Sequence, residues 1–235
     1  LSGGVDVDID STEAWDINLG SSNMAIAIID TGVDYNHEDL AGNMMADCNG
    51  GCPSGTGYDF VNTTNPECDD PDCTVRDNDP MDGAGHGSLR GGVVAAVTNN
   101  GIGIAGVCPN CKIMPVRVCY KTTGGEGFCD LEDIADGIYY AVDSGAQVLS
   151  MSFAGGDSAT LETAIDYANV NEIFMAAGAG NYMIGITGCT LIGIVIIIMF
   201  LTNYGVAKQQ ELLLRFYMVP QQSDENIYLS VFKKY

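Results

Sequence analysis

Positive charge is scarce in this chain: nine Lys and Arg stand against 31 Asp and Glu among 235 residues, a formal charge of −22. The scarcity is uneven. Up to Glu172 there are 28 acids and five bases, a balance of −23, and beyond it three acids and four bases. A surface of that sign repels phosphate backbones, which argues against nucleic acid as a partner. It suits a secreted protein or one that holds divalent cations. An initiator Met and a basic, apolar leader are also missing, since the chain starts at Leu1; a removed leader and a fragment are the two readings. A second Cys-x-x-Cys is absent as well. Cys108 and Cys111 have the spacing of a zinc half-site, yet no partner half-site follows.

What is present is cysteine, nine in all, eight of them before residue 130. They cluster as Cys48/Cys52, Cys68/Cys73, Cys108/Cys111 and Cys119/Cys129, most in Gly-, Pro- and Asp-rich stretches. Disulfides are the expected use, with connectivity left open, and they imply an oxidising compartment. The Asn62-Thr63-Thr64 sequon points weakly the same way.

Apolar patterning gives the organisation. Met24 to Ile29 is a short apolar run ending in Asp30-Thr31-Gly32, which reads as a buried parallel strand with a polar residue at its carboxyl end. Residues 42–85 read as one long loop. Small residues from His86 to Val97 allow a tightly packed helix, and residues 113–118 form the next strand. A helix follows over 130–144, its apolar face Leu131, Ile134, Ile138 and Ala141, with Asp130 as N-cap. Strand 147–152, helix 158–169 and strand 173–177 complete an α/β pattern: a mostly parallel sheet with helices on both faces. Reactive groups in such sheets collect at the carboxyl ends of strands. Asp30, Ser152 and Asn181 lie there, and His86 opens a helix. An Asp to orient an imidazole, a His to take a proton and an Asn to stabilise an oxyanion are three of the four parts of a serine hydrolase.

The words around these residues resemble the subtilisin-like serine proteases, in that family's order. They are "AIAIIDTGVDYNHEDL" (25–40), "DGAGHGS" (82–88), "NNGIGIAGVCPNCKIMPVRV" (99–118), "GIYYAVDSGAQVLSMSFAGG" (137–156) and "FMAAGAGN" (174–181). The resemblance runs from about Trp15 to Asn181. It implies that Asp30 and His86 are triad members and that Asn181 serves the oxyanion hole. Ser152, Phe153, Ala154 and Gly155 would line the specificity pocket and pair with substrate backbone. Gly125, Glu126 and Gly127 would form the opposite edge, so that a peptide or protein substrate lies extended between them; an ordinary Gly-rich turn is the alternative for 125–127. Structural calcium is also implied, with Asp39 and Asn100 as ligands on an acidic loop; a solvated loop is the alternative there. No organic cofactor is.

Two departures from the family pattern stand out. After His86-Gly87-Ser88 the family usually continues with a second His and small apolar residues, whereas this chain reads Leu89-Arg90-Gly91-Gly92. Arg90 is expected to disturb the packing of that helix unless it faces an acid. The other departure is the nucleophile. The only serines after Asn181 are Ser223 and Ser230, neither in a "GTSMATP"-like turn. In its place, residues 173–207 carry no charge, and Tyr182 to Leu201 supply twenty residues in a row, enough at about 1.5 Å each to cross about 30 Å of hydrocarbon. Tyr182 and Tyr204 bracket the run, while Lys208 and Arg215 follow it.

The expected organisation is therefore an incomplete, C-terminally truncated peptidase domain over 1–181, a transmembrane helix over 182–207 and a polar tail over 208–235. The charge bias would place the tail in the cytoplasm and the protease-like part outside, in the secretory pathway. Two functions compete. One is a serine endopeptidase lacking its nucleophile in this chain. The other is a membrane-anchored pseudoprotease that binds peptides or a protease partner.

Overall fold

The computed structural model describes residues 9–46, 57–153 and 158–178. Its centre is strand β1 (Ala25–Asp30), every residue of which is buried. Alternate side chains of β1 serve opposite faces, as pleating requires. Ile26 and Ile28 pack with Val33, Val94 and Ile113 on one side; Ala27 and Ile29 pack with Met114, Val116, Ile138 and Leu149 on the other. A strand apolar on both faces needs cover on both. Helix α2 (His86–Ala95) contributes to the first cluster, and helices α3 (Leu131–Asp143) and α4 (Ala159–Val170) contribute to the second.

Among the described residues five strands form the main sheet, all parallel. With β2 (Tyr58–Asp59), β3 (Lys112–Arg117), β6 (Val148–Met151) and β7 (Phe174–Ala177), the order is β2-β3-β1-β6-β7. β3 lies on one side of β1 and β6 on the other, with Ile29 level with both Val116 and Met151. The chain thus changes direction across β1, and the carboxyl end of that strand, Asp30, faces the crevice where ligands gather in such sheets. A short helix α1 (Ser11–Ile17) precedes the sheet, and Trp15 donates from its indole to the Val107 carbonyl at 2.8 Å.

A two-stranded antiparallel hairpin, β4 (Cys119–Lys121) and β5 (Gly127–Cys129), follows β3 directly. Cys119 and Cys129 are level with each other and joined by a disulfide. Cys68 pairs with Cys73, and Cys108 pairs with Cys111, so this Cys-x-x-Cys is a disulfide rather than a zinc half-site. Cys48 and Cys52 lie outside the described residues.

The loop expected over 42–85 is interrupted, because Tyr58 and Asp59 add an edge strand to β3. Asp130 does stand at the N-cap of α3 with extended backbone, but its side chain makes no capping hydrogen bond. Arg76 instead ties this end of the helix to the preceding loop, donating to Asp133 at 2.6 Å and Asp136 at 2.8 Å.

Helix α2 holds two adjacent glycines that are not needed for space. A Cβ on Gly91 would meet Val33 at 3.5 Å and Ile113 at 3.6 Å, and one on Gly92 would meet only Ile104, at 3.7 Å; all are ordinary contacts. Helix propensity then decides the sign. Gly91→Ala and Gly92→Ala are each expected to stabilise the fold by about 0.5–1 kcal/mol, seen as a higher urea midpoint with an unchanged slope. A lower midpoint would show that α2 cannot accept the added methyl groups.

Candidate functional site

Asp30 ends β1 with its side chain 3 % exposed, and accepts from the Thr31 N–H at 2.7 Å. His86 begins α2 with its ring 37 % exposed, and its Nδ1 lies 2.7 Å from Asp30 Oδ1. A buried carboxylate holding one imidazole nitrogen is the arrangement that orients a histidine to exchange a proton through the other.

Close approach of helix to strand makes this contact possible. A Cβ at Gly87 would stand 1.9 Å from the Gly32 carbonyl oxygen and 3.2 Å from Asp30 Cβ. Only glycine lets α2 start against the end of β1.

Asp82 fixes the same junction from the other side, a role the sequence reading did not assign. Its Oδ1 accepts from Thr31 Oγ1 at 2.8 Å, Ala84 N at 3.0 Å and Gly85 N at 2.8 Å. Its Oδ2 accepts from the Ser88 N–H at 2.8 Å and Ser88 Oγ at 2.6 Å. Gly85, the N-cap, has no side chain to cap α2, so Asp82 does that work from three residues upstream. Thr31 Oγ1 also accepts from the Gly87 N–H at 2.9 Å. The local signal was an acid just ahead of a glycine-capped helix.

The other expected site residues divide by region. Ser152 and Phe153 follow β6 at the same sheet edge as Asp30, and Ser152 Oγ is buried without a hydrogen-bond partner among the described residues. Met151 is level with Ala177, and the Gly178 N–H donates to the Met151 carbonyl at 2.8 Å, so the carboxyl ends of β6 and β7 run side by side. Ala154, Gly155 and Asn181 lie outside the described residues.

Gly125 and Glu126 belong to the turn of the β4–β5 hairpin, and Gly127 opens β5. The turn is closed by Thr122 donating to Glu126 O at 2.7 Å. It is therefore a Gly-rich turn and the start of a strand at once, and a Cβ on Gly127 would come within 2.9 Å of Thr31 Cγ2, beside Asp30.

Asp39 and Asn100 do meet. Asp39 is 4 % exposed; Asn100 Nδ2 donates to its Oδ1 at 2.6 Å, and the Ile104 N–H donates to its Oδ2 at 2.9 Å. The Asn100 amide first, and then the Ile104 N–H, hold the Asp39 carboxyl below the usual carboxylate range. Loop 98–104 curls closely round it, since a Cβ on Gly103 would fall 1.8 Å from Asp39 Oδ2.

A second acidic group was not foreseen. Asp59, Asp72 and Asp77 bring carboxylate oxygens within 4.8 Å of one another. Arg117 reaches the same place, paired with Asp59 and, at 3.0 Å, with Asp70.

The departure at Arg90 resolves differently from expectation. Among the described residues Arg90 faces no acid. Its Nε lies 3.3 Å and its Nη2 3.1 Å from His86 Nε2.

Among the described residues no helix is long and apolar enough to cross a membrane. Residues 182–207 lie outside them.

Comparison with known proteins agrees with the geometry. Residues 21–204 match the family described as Peptidase_S8, Subtilase family, a span that takes in much of the apolar run. The "Thermophilic serine proteinase" of Bacillus sp. (strain AK1) is 43 % identical over 170 residues, covering 72 % of this chain and 35 % of that protein. "Thermitase" of Thermoactinomyces vulgaris is 39 % identical over 175 residues, covering 74 % of this chain and 52 % of its own length. The crystal structure of "a cold adapted subtilisin-like serine proteinase" superposes with a TM-score of 0.51 at 25 % identity, over 68 % of this chain and 48 % of that one. The chain thus spans about a third of the first of these relatives and about half of the second. With a parallel sheet, a buried aspartate at the end of its central strand and a histidine held against it, the chain belongs to the subtilase family of serine endopeptidases.

Proposed function

We propose that this chain carries the orienting and proton-accepting half of a subtilisin-like serine endopeptidase site. The observation that carries the reading is the 2.7 Å contact between buried Asp30 and half-open His86. In peptide hydrolysis by such a site, a seryl oxygen attacks the scissile carbonyl while the imidazole takes its proton through Nε2. Asp30 would keep the proton on Nδ1 and stabilise the imidazolium, and Asn181 would donate to the oxyanion. The backbone at 152–155 and the hairpin at 125–127 would hold an extended substrate between them.

The nucleophile is the part the sequence does not supply, since Ser223 and Ser230 have no flanking glycine. Loss of a triad serine costs about 10⁶-fold in rate. We therefore expect the chain, on its own, to form no acyl-enzyme. The second reading is a pseudoprotease that binds peptides or a protease partner. The full chain should show no labelling by a fluorophosphonate and no casein hydrolysis above background. Labelling of any serine, located by mass spectrometry, would make it an active enzyme.

Subtilases commonly bind structural calcium, and the residues around Asp39 fit one ion in kind: a buried carboxylate, a curled loop and an amide. Turning the Asn100 amide over would offer Oδ1 in place of Nδ2. Calcium should then raise the melting temperature and a chelator lower it; an unchanged melt in both would remove this site.

The three disulfides among the described residues support the secretory pathway. Residues 182–207 would anchor the chain, tail inward, because their uncharged length suits a bilayer. Release from membranes by alkaline carbonate would count against the anchor.

A further inference from the structure

Arg90 sits one turn after His86 on α2, and side chains four residues apart share a helix face. Its guanidinium turns back along that face to the imidazole, with Nε at 3.3 Å and Nη2 at 3.1 Å from Nε2. Chemistry fixes the direction of these contacts. A guanidinium has five N–H donors and no acceptor, so His86 Nε2 receives the hydrogen bond. The ring is then neutral with its one proton on Nδ1, and that proton is donated to Asp30 Oδ1 at 2.7 Å.

Both nitrogens are thereby engaged. The lone pair on Nε2 is the one a general base uses, and the group facing it must bring a proton the ring can take. Arg90 brings protons it does not release. An imidazolium formed there would have a fixed cation at hydrogen-bond distance.

Arg90 is also not held elsewhere by charge. In a chain of net charge −22 it makes no ion pair among the described residues. The nearby acid Asp82 is filled by Thr31, Ala84, Gly85 and Ser88. The imidazole is its partner among the described residues.

We propose that Arg90 is a positioning residue that blocks His86: it locks the neutral Nδ1–H tautomer and occupies the Nε2 lone pair, so that the ring cannot accept a proton until the guanidinium leaves. The proposal rests on His86 being the base of the site. It adds that this chain masks the base with its own side chain, independently of where a nucleophile comes from.

Diethyl pyrocarbonate, which acylates unprotonated imidazole nitrogen, measures the block on the intact chain. The protein has two histidines, His37 and His86, so peptide mapping by mass spectrometry reads His86 against His37 as an internal reference. Arg90→Ala is expected to raise the His86 rate about tenfold relative to His37, the size of one charge-assisted hydrogen bond that must first break. Arg90→Lys, which restores a donor, should bring the rate back toward that of the native chain. Equal His86 rates in the native and Ala proteins, with unchanged circular dichroism, would overturn the block.

Should Arg90→Ala fail to fold, long-range ¹⁵N–¹H spectra of the native chain still decide: Nδ1 protonated and Nε2 bare is expected, and a proton on Nε2 contradicts it. Failure of the peptidase reading would look different: the Nδ1 proton would not be shared with Asp30, and replacing Asp30 by Ala would leave it unchanged.

Discussion

Replacing Arg117 by Met is expected to lower the unfolding free energy by about 3–5 kcal/mol, the cost of removing one partner from a buried ion pair. Arg117 ends β3 and is 4 % exposed, and Asp59 beside it is fully buried. The guanidinium pairs with Asp59, with Asp70 at 3.0 Å and with the Asp72 carbonyl at 3.4 Å. Without it, two buried carboxylates would face Asp72 and Asp77 with no cation among them.

Protonation gives this prediction a pH signature. Burial pushes the Asp59 carboxyl up to about 7, against the pull of Arg117. Its folded value thus lies above its unfolded one. The stabilisation from its proton is complete below the unfolded value of 3.8 and is lost as pH rises through about 7. Taking away Arg117 removes the pull that favours the charged form, so Arg117→Met should cost more at about pH 8 than at about pH 5. Urea unfolding followed by circular dichroism at both pH values checks this. An equal loss at both would mean that Asp59 does not carry the effect. Asp30 is level with Arg117 in the sheet, so this acidic loop is fastened beside the candidate site.

Gly87→Ala is expected to be the most damaging single methyl group at the site. Its Cβ would lie 1.9 Å from the Gly32 carbonyl oxygen, and the obstacle is backbone rather than a flexible side chain. The start of α2 must move away from β1, at about 3 kcal/mol, or about 6–12 °C in melting temperature for a chain of this size. The shift also pulls His86 from Asp30. Gly91→Ala, one turn on, has the opposite expected sign because its new methyl meets only ordinary contacts. A melt of Gly87→Ala within a degree or so of the native protein would show that α2 does not need this close approach.

Much of this fold was legible because burial writes itself into local sequence. "AIAIID" could hardly be anything but a strand covered on both faces, and β1 is buried throughout. Strands β3, β6 and β7 and helices α3 and α4 fell close to their expected places for the same reason, whereas the β4–β5 hairpin was not expected. The β2 strand was not legible. Two residues carry no periodicity, and Tyr58–Asp59 becomes a strand only because β3 lies beside it. Asp130 looked like a cap by residue type, yet its side chain makes no capping bond, and the Arg76 contacts that tie down that end come from more than fifty residues away.

At the site, the words around Asp30 and His86 singled them out, and the two lie 2.7 Å apart. Arg90 was recognised as foreign to its helix, but its partner was not foreseen. Sequence spacing alone allowed His86 as a neighbour four residues back, but the charge of Arg90 pointed to an acid. Asp82 was overlooked although four of its five hydrogen bonds are local, to Ala84, Gly85 and Ser88; only the Thr31 contact comes from elsewhere in the chain.

The central claim is that Asp30 and His86 form the orienting half of a subtilase site. Low-field ¹H spectra of the full chain, with ¹⁵N-labelled histidine, test it most directly. The account predicts one strongly deshielded proton bound to His86 Nδ1, present in the native protein and absent from Asp30→Ala. No such proton in the native chain, or one that persists when Asp30 is replaced, would contradict it.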